Sequence, residues 1–144
     1  MRTIYWVWSW VLFAAIVVQV GLAGYGAFDA AGNLEDEGST LAEDVFHSGF
    51  EPHIALGYLL VLAGLVFLLI GLIAGIGRWR LGMHGALFGL LILQVLLAWF
   101  GFASPVIGFF HPVNALVLVA VSGSVAWREW QLRKAGPALT PAAE

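Results

Sequence analysis

The sequence predicts an all-α integral membrane protein: an up-down-up-down four-helix bundle with an internal two-helix pseudo-repeat. Three observations carry that prediction. Of 144 residues, 61% are hydrophobic and only 10% charged, where a soluble domain carries about 25% charged residues. Four apolar runs each reach the roughly 20 residues that a bilayer core demands, and none of them contains Asp, Glu, Lys or Arg. The few polar residues inside those runs recur at matching places in the two halves of the chain. A chain this short leaves much of its surface uncovered, so so large an apolar excess must face lipid.

The runs place helices at about 4–24, 53–76, 81–103 and 106–127, within one domain of residues 1–130. The first run is too long, and its lone preceding Arg2 too weak a basic region, for a cleaved secretory signal, so it reads as a retained helix. Residues 25–52 form a polar outer loop. Within it, Thr40 with Glu43 three residues on is a capping box, predicting a short helix over 41–47 that Gly49 stops. Leu41, Val45 and Phe46 would lay that helix on the membrane as a lid, with residues 30–38 mobile before it. The remaining links are short, which makes consecutive helices antiparallel neighbours. Residues 131–144, with two prolines, read as a flexible cytoplasmic tail.

Charge sets the expected orientation. Arg2, Arg78, Arg80, Arg128, Arg133 and Lys134 all fall on one side, which the positive-inside rule makes cytoplasmic. Asp29, Glu35, Asp36, Glu37, Glu43, Asp44 and Glu51 fall on the other. Trp6, Trp8, Trp10, Trp79, Trp127 and Trp130 form an aromatic belt at the cytoplasmic level. The expected location is the cell (plasma) membrane, with both termini cytoplasmic and the acidic loop outside. Composition also excludes functions. Six Lys+Arg and a net charge of −3 provide no footprint for nucleic acid. The absence of cysteine removes disulfides, iron–sulfur clusters and thiol nucleophiles.

The internal repeat is carried by polar positions. The segment from Gln19 to Gly26 aligns with that from Gln94 to Gly101, and His53-Ile-Ala-Leu-Gly aligns with His111-Pro-Val-Asn-Ala. The glutamines are 75 residues apart and the histidines 58, so the first half carries about 17 extra loop residues. Two helix pairs related by a pseudo-two-fold axis along the membrane normal follow.

The second and fourth helices run in the same direction, so His53 and His111 share a depth near the outer boundary. Gln19 and Gln94 occupy a neighbouring layer. Two imidazoles at one depth on two-fold-related helices are what an axial bis-histidine haem requires. The porphyrin would stand between the second and fourth helices with its propionates toward the outer water. Gly57, Gly64 and Gly71 on one helix, and Ala115 and Ser122 on the other, would let a flat ring approach the backbone. The plainer reading is that glycine seams are ordinary membrane-helix packing, and that Pro52 and Pro112 leave both histidines solvated at helix starts. Against it, ionisable groups at membrane depth mark function, and no Met or Cys at that level offers a better axial ligand. The expected metal ligands are therefore His53 and His111, with Gly57, Asn114, Gln19 and Gln94 as further cofactor-binding residues. Asn114 would orient a propionate or a quinone carbonyl. Gln19 and Gln94 serve equally as cross-bundle hydrogen-bonding glue. His84 reads as interfacial on the cytoplasmic side. His47 reads as solvated, with an alternative ligand or proton-donor role, and Glu51 as hydrated or as a partner for an imidazole.

These residues resemble one half of a haem A synthase, a family of two four-helix halves with a histidine on the second and fourth helix of each. The resemblance rests on Gln19-Val20-Gly21-Leu22-Ala23-Gly24-Tyr25, on His53-Ile-Ala-Leu-Gly57, on Leu93-Gln94-Val95-Leu96-Leu97-Ala98-Trp99 and on Phe110-His111. It spans residues 4–127 through short motifs. The chain is also similar to small stand-alone four-helix membrane proteins of uncharacterised function that carry a His-Pro-Val-Asn motif, here ending at Asn114. The family's catalytic half has a glutamate three residues before the second-helix histidine and an arginine directly after it, where this chain has Phe50 and Ile54. It also lacks the outer-loop cysteine pair of many members. The resemblance implies haem ligation by His53 and His111, and haem modification only if two copies assemble.

The sequence thus favours a haem b-binding membrane protein that transfers electrons with a quinone or a membrane redox partner. A cofactor-free scaffold or accessory subunit of a membrane complex is the alternative, and haem A synthase-like chemistry in a homodimer is a second one. A transporter fits least, because no span holds a charge.

Overall fold

A computed structural model describes residues 2–34, 40 and 42–135, the side chain of Arg2 excepted. It contains four helices: α1 Arg2–Gly32, α2 Glu43–Ile73, α3 Arg78–Ala103 and α4 Pro105–Lys134. Each is long and apolar enough to cross a membrane. The helices of 31, 31, 26 and 30 residues rise about 1.5 Å per residue, so each exceeds the roughly 30 Å of a bilayer core and projects at its ends.

Neighbours in sequence are neighbours in space. α1 packs on α2 and α4, and α3 packs on α2 and α4, while the diagonal pairs α1/α3 and α2/α4 do not pack directly. Buried side chains at seven-residue spacing line the axis: Tyr5 and Leu12, Leu60 and Phe67, Leu118 and Val125. That period is the seam of nearly parallel helices packed knobs-into-holes. The outward faces are equally apolar, with Val18, Leu59, Leu62 and Leu116 all exposed. Helices apolar all round, whose outer faces find no protein cover, suit lipid as solvent.

The connections are tight. The α2–α3 turn uses Gly75 (φ 59°) and Gly77 (φ 91°), a left-handed backbone that side chains with a Cβ avoid. α3 and α4 are joined by Ser104 alone, extended at φ −148°, with Pro105 opening α4 where its missing N–H is harmless. A Cβ on Gly101 would lie 2.8 Å from the Cα of Gly108, so the two backbones approach too closely for a larger residue.

The structure corrects the expected element boundaries at the outer loop. No separate lid helix forms, because α2 runs without a break from Glu43 through Gly49 and Pro52. Its N-cap is Ala42, with no side-chain capping bond, so the Thr40–Glu43 box is not made. Gly49 is a contact rather than a stop: it is buried, and a Cβ there would meet the Asp29 carboxylate at 2.6 Å. Glycine's weak helix propensity, about 1 kcal/mol, is outweighed by packing against α1, which itself continues to Gly32. His53 and His111 consequently lie inside their helices rather than at the starts. Residues 35–39, part of the stretch expected to be mobile, and residues 136–144 of the expected tail lie outside the described residues, as does Leu41. Residues 131–134 of that tail are helical.

Candidate functional site

The end of the bundle that carries the α1–α2 connection and Ser104 holds a doubled arrangement. In the first half, Nδ1 of His53 lies 3.0 Å from the backbone carbonyl of Gln19. In the second, Nδ1 of His111 lies 3.0 Å from the backbone carbonyl of Gln94. The same bond thus joins α1 to α2 and α3 to α4. Its sequence separations of 34 and 17 residues differ by the loop insertion expected from the repeat. A carbonyl only accepts, so each Nδ1 carries a proton, and in the neutral ring the lone pair lies on Nε2. The imidazoles meet edge to face across the diagonal, with ring centres 6.2 Å apart and planes tilted by 63°.

Around them is a pocket of about 530 Å³, within the range of small-molecule sites. His53, His111, Gln19, Gln94 and Gly57 all border it, and Phe46, Phe50, Trp99 and Phe102 complete an aromatic wall. Tyr58 and Trp99, both half exposed on the outer surface, join α2 to α3 through a 3.3 Å indole-to-hydroxyl hydrogen bond.

The glutamines differ in what their side chains do. Gln19 donates its amide N–H to the backbone carbonyl of His53 at 2.7 Å, and its Oε1 is buried without a partner among the described residues. Gln94 instead donates to Nε2 of His111 at 3.1 Å, while its Oε1 accepts from Asn114 at 2.7 Å. Asn114 also donates to the Leu90 carbonyl at 3.1 Å. It stands behind Gln94 and does not border the pocket, and its amide meets α3. Gly57 is where a Cβ would come within 3.1 Å of the Gln19 amide. His47 borders the pocket mouth, exposed, with Glu43 at 3.6 Å. Glu51 is exposed and enters none of these contacts.

The opposite end holds a cluster that the sequence did not assemble. His84 is 2% exposed, not interfacial as its position in the chain implied. Its ring stacks on Phe67, with centroids 4.2 Å apart, and on Tyr5 at 5.9 Å. Glu129, 5% exposed, takes a two-pronged grip from Arg80, whose Nε donates at 2.9 Å. Nε2 of His84 lies 3.8 Å from the same carboxylate. The Tyr5 hydroxyl and Nδ1 of His84 have no partner among the described residues. Glu129 was the missed residue. The available signal was an acidic side chain set among Arg128, Arg133 and Lys134 on the basic side.

Fold and site define a class: four helices of membrane-spanning length, with a paired-imidazole pocket at one end and a buried ion pair at the other. No family model, curated protein or solved structure matches the chain.

Proposed function

We propose that the chain is a haem b-binding membrane protein that transfers electrons with a quinone or a membrane redox complex, His53 and His111 being the axial ligands. The reading rests on one observation: two imidazoles, each with Nδ1–H on a backbone carbonyl, lie with ring centres 6.2 Å apart across the bundle. Two imidazoles on opposite sides of one metal, each bonded at about 2 Å, place their ring centres about 6 Å apart. A carbonyl on the far ring nitrogen is the usual outer-shell support of a metal-bound histidine, fixing its tautomer and raising its basicity.

The donor set favours a porphyrin over a bare ion. Among the described residues no cluster of three or more His, Cys, Asp or Glu side chains forms, and a porphyrin brings four donors of its own, needing only two more. Gly57 borders the pocket and lets the Gln19 side chain lie against the α2 backbone, and the unpartnered Gln19 Oε1 is a polar group awaiting a contact. Bound there, haem supplies a one-electron Fe(III)/Fe(II) couple, whose potential the protein tunes through ligands and burial. The aromatic wall is apolar, and the exposed Tyr58 and Trp99 would meet a lipid-soluble carrier arriving from the bilayer. The proposed orientation places the termini and the basic residues in the cytoplasm of a cell membrane and the pocket near the outer face. Residues 1–130 act as one unit in this reading.

The test is a reduced-minus-oxidised absorption spectrum of the detergent-purified protein after haem addition, beside the double variant His53→Ala/His111→Ala. A sharp low-spin α-band present in the wild type and absent from the double variant is the expected result. A wild type that stays colourless with haem supplied overturns the reading and leaves the scaffold alternative in front.

A further inference from the structure

The two halves of the site are not equivalent, and the repeat shows where they diverge. His53 and His111 occupy the same repeat position, but three residues on, the first half has Leu56 and the second has Asn114. Leucine has nothing to offer a glutamine. Asparagine holds the Oε1 of Gln94 at 2.7 Å and is itself anchored to the Leu90 carbonyl. Clamped in this way, Gln94 aims its amide N–H at Nε2 of His111, 3.1 Å away. Gln19, with no such clamp, turns its amide to the His53 backbone. No hydrogen bond engages Nε2 of His53 among the described residues, whereas the lone pair of His111 is already taken.

We propose that Gln94, held by Asn114, is a built-in competitor for Nε2 of His111, so that His53 is the permanent axial ligand and His111 an exchangeable one. This rests on the haem reading above and names the regulation of that site. With haem bound, His53 would hold it throughout, and His111 would exchange between the iron and the Gln94 amide, leaving room for a small exogenous ligand with a lone pair, such as carbon monoxide. Each time His111 binds, Gln94 loses its acceptor. Each time His111 left, the amide would receive it back, so the Gln94 donor would lack its acceptor only while His111 was bound. The competing bond is an ordinary neutral one, so exchange is a matter of several-fold populations, not of complete exclusion. Gln94 and Asn114 are positioning residues here, acting through His111.

Three measurements test this on the haem-loaded, detergent-purified chain. His53→Ala should fail to retain haem, while His111→Ala should keep it as a high-spin form that binds carbon monoxide readily. Gln94→Leu removes the competitor, and should bind haem roughly fivefold to tenfold tighter and react with carbon monoxide correspondingly more slowly than the wild type. Asn114→Leu gives the second half the residue of the first, and should shift the spectrum in the same direction by releasing Gln94 without touching it. Circular dichroism on each variant guards against misfolding, and the wild-type carbon monoxide reaction supplies a measurement that needs no variant. Equal loss of haem from both single histidine variants, with spectra and ligand kinetics unmoved by Gln94→Leu, overturns the inference while leaving bis-histidine binding intact. A wild type that takes up no haem overturns both.

Discussion

His53 and His111 stand on α2 and α4, helices that do not pack against each other, yet their ring centres are 6.2 Å apart. The imidazoles themselves span the diagonal of the bundle at that level. Each is tied back to the neighbouring helix of its own hairpin through Nδ1, so the pair is held by two equivalent bonds and not by contact between the helices that carry it. That arrangement makes the ring orientation a property of the backbone, since Gln19 and Gln94 contribute their main-chain carbonyls.

Nitrogen-15 NMR of imidazole-labelled, haem-free protein in detergent should show both histidines as neutral Nδ1–H tautomers. The acceptors at Nδ1 are backbone carbonyls at 3.0 Å, so substitution of the Gln19 or Gln94 side chain should leave the tautomer unchanged. A neutral Nε2–H form at either residue contradicts the site geometry.

Glu129→Ala leaves the Arg80 guanidinium largely buried without its carboxylate. Breaking a buried pair from one side costs about 3–5 kcal/mol, and with the Arg80 side chain 24% exposed the lower end is expected. Replacing both partners, as in Arg80→Met/Glu129→Met, should recover most of that loss. Denaturant unfolding in mixed micelles reads the two together, and a double variant no more stable than the single one would refute the pairing argument.

At the α3–α4 turn, Gly101→Ala should destabilise the bundle more than Gly108→Ala. The added methyl at Gly101 meets backbone at 2.8 Å, whereas the one at Gly108 finds its nearest atoms at 3.4 Å. Overpacking of this kind costs about 1–3 kcal/mol. Thermal unfolding followed by circular dichroism ranks the two variants, and equal midpoints would show that the turn relaxes freely.

Gly57→Leu should displace the Gln19 amide, which an added Cβ already meets at 3.1 Å, crowd the pocket and weaken haem uptake by at least about tenfold while leaving helicity intact. Titration of haem into the apo variant measures it. Uptake equal to the wild type would place the bound group away from the α2 backbone.

Because the chain has no native cysteine, single cysteines report its orientation directly. With Ser48→Cys in intact cells, a membrane-impermeant maleimide should label from outside. Ala135→Cys should label only after permeabilisation. The reverse pattern would invert the proposed topology.

Depth was legible in the sequence, and with it a good deal of the site. Hydropathy located four spans, the direction of successive helices put His53 and His111 at one level, and the repeat paired each with a glutamine. Rotation about the helix axis was not legible for residues near the ends. His84 and Glu129 sit among arginines and tryptophans, a pattern that reads as a wet interface, and only the packing of Phe67 and Tyr5 around the imidazole draws them inside. The expected lid helix failed for a related reason: Gly49 looks like a break until Asp29 of α1 is placed against it.

By itself, then, the chain determined which four segments are apolar enough to cross a membrane and near which of their ends the rare polar groups lie, because transfer of a side chain between water and hydrocarbon depends on that residue and little else. Tertiary structure decided the partners. Whether a glutamine amide turns to a backbone carbonyl, as Gln19 does, or to an imidazole, as Gln94 does, depends on what stands behind it. Between leucine and asparagine at that position the difference is one side-chain amide, whose effect appears only once α3 and α4 are packed together.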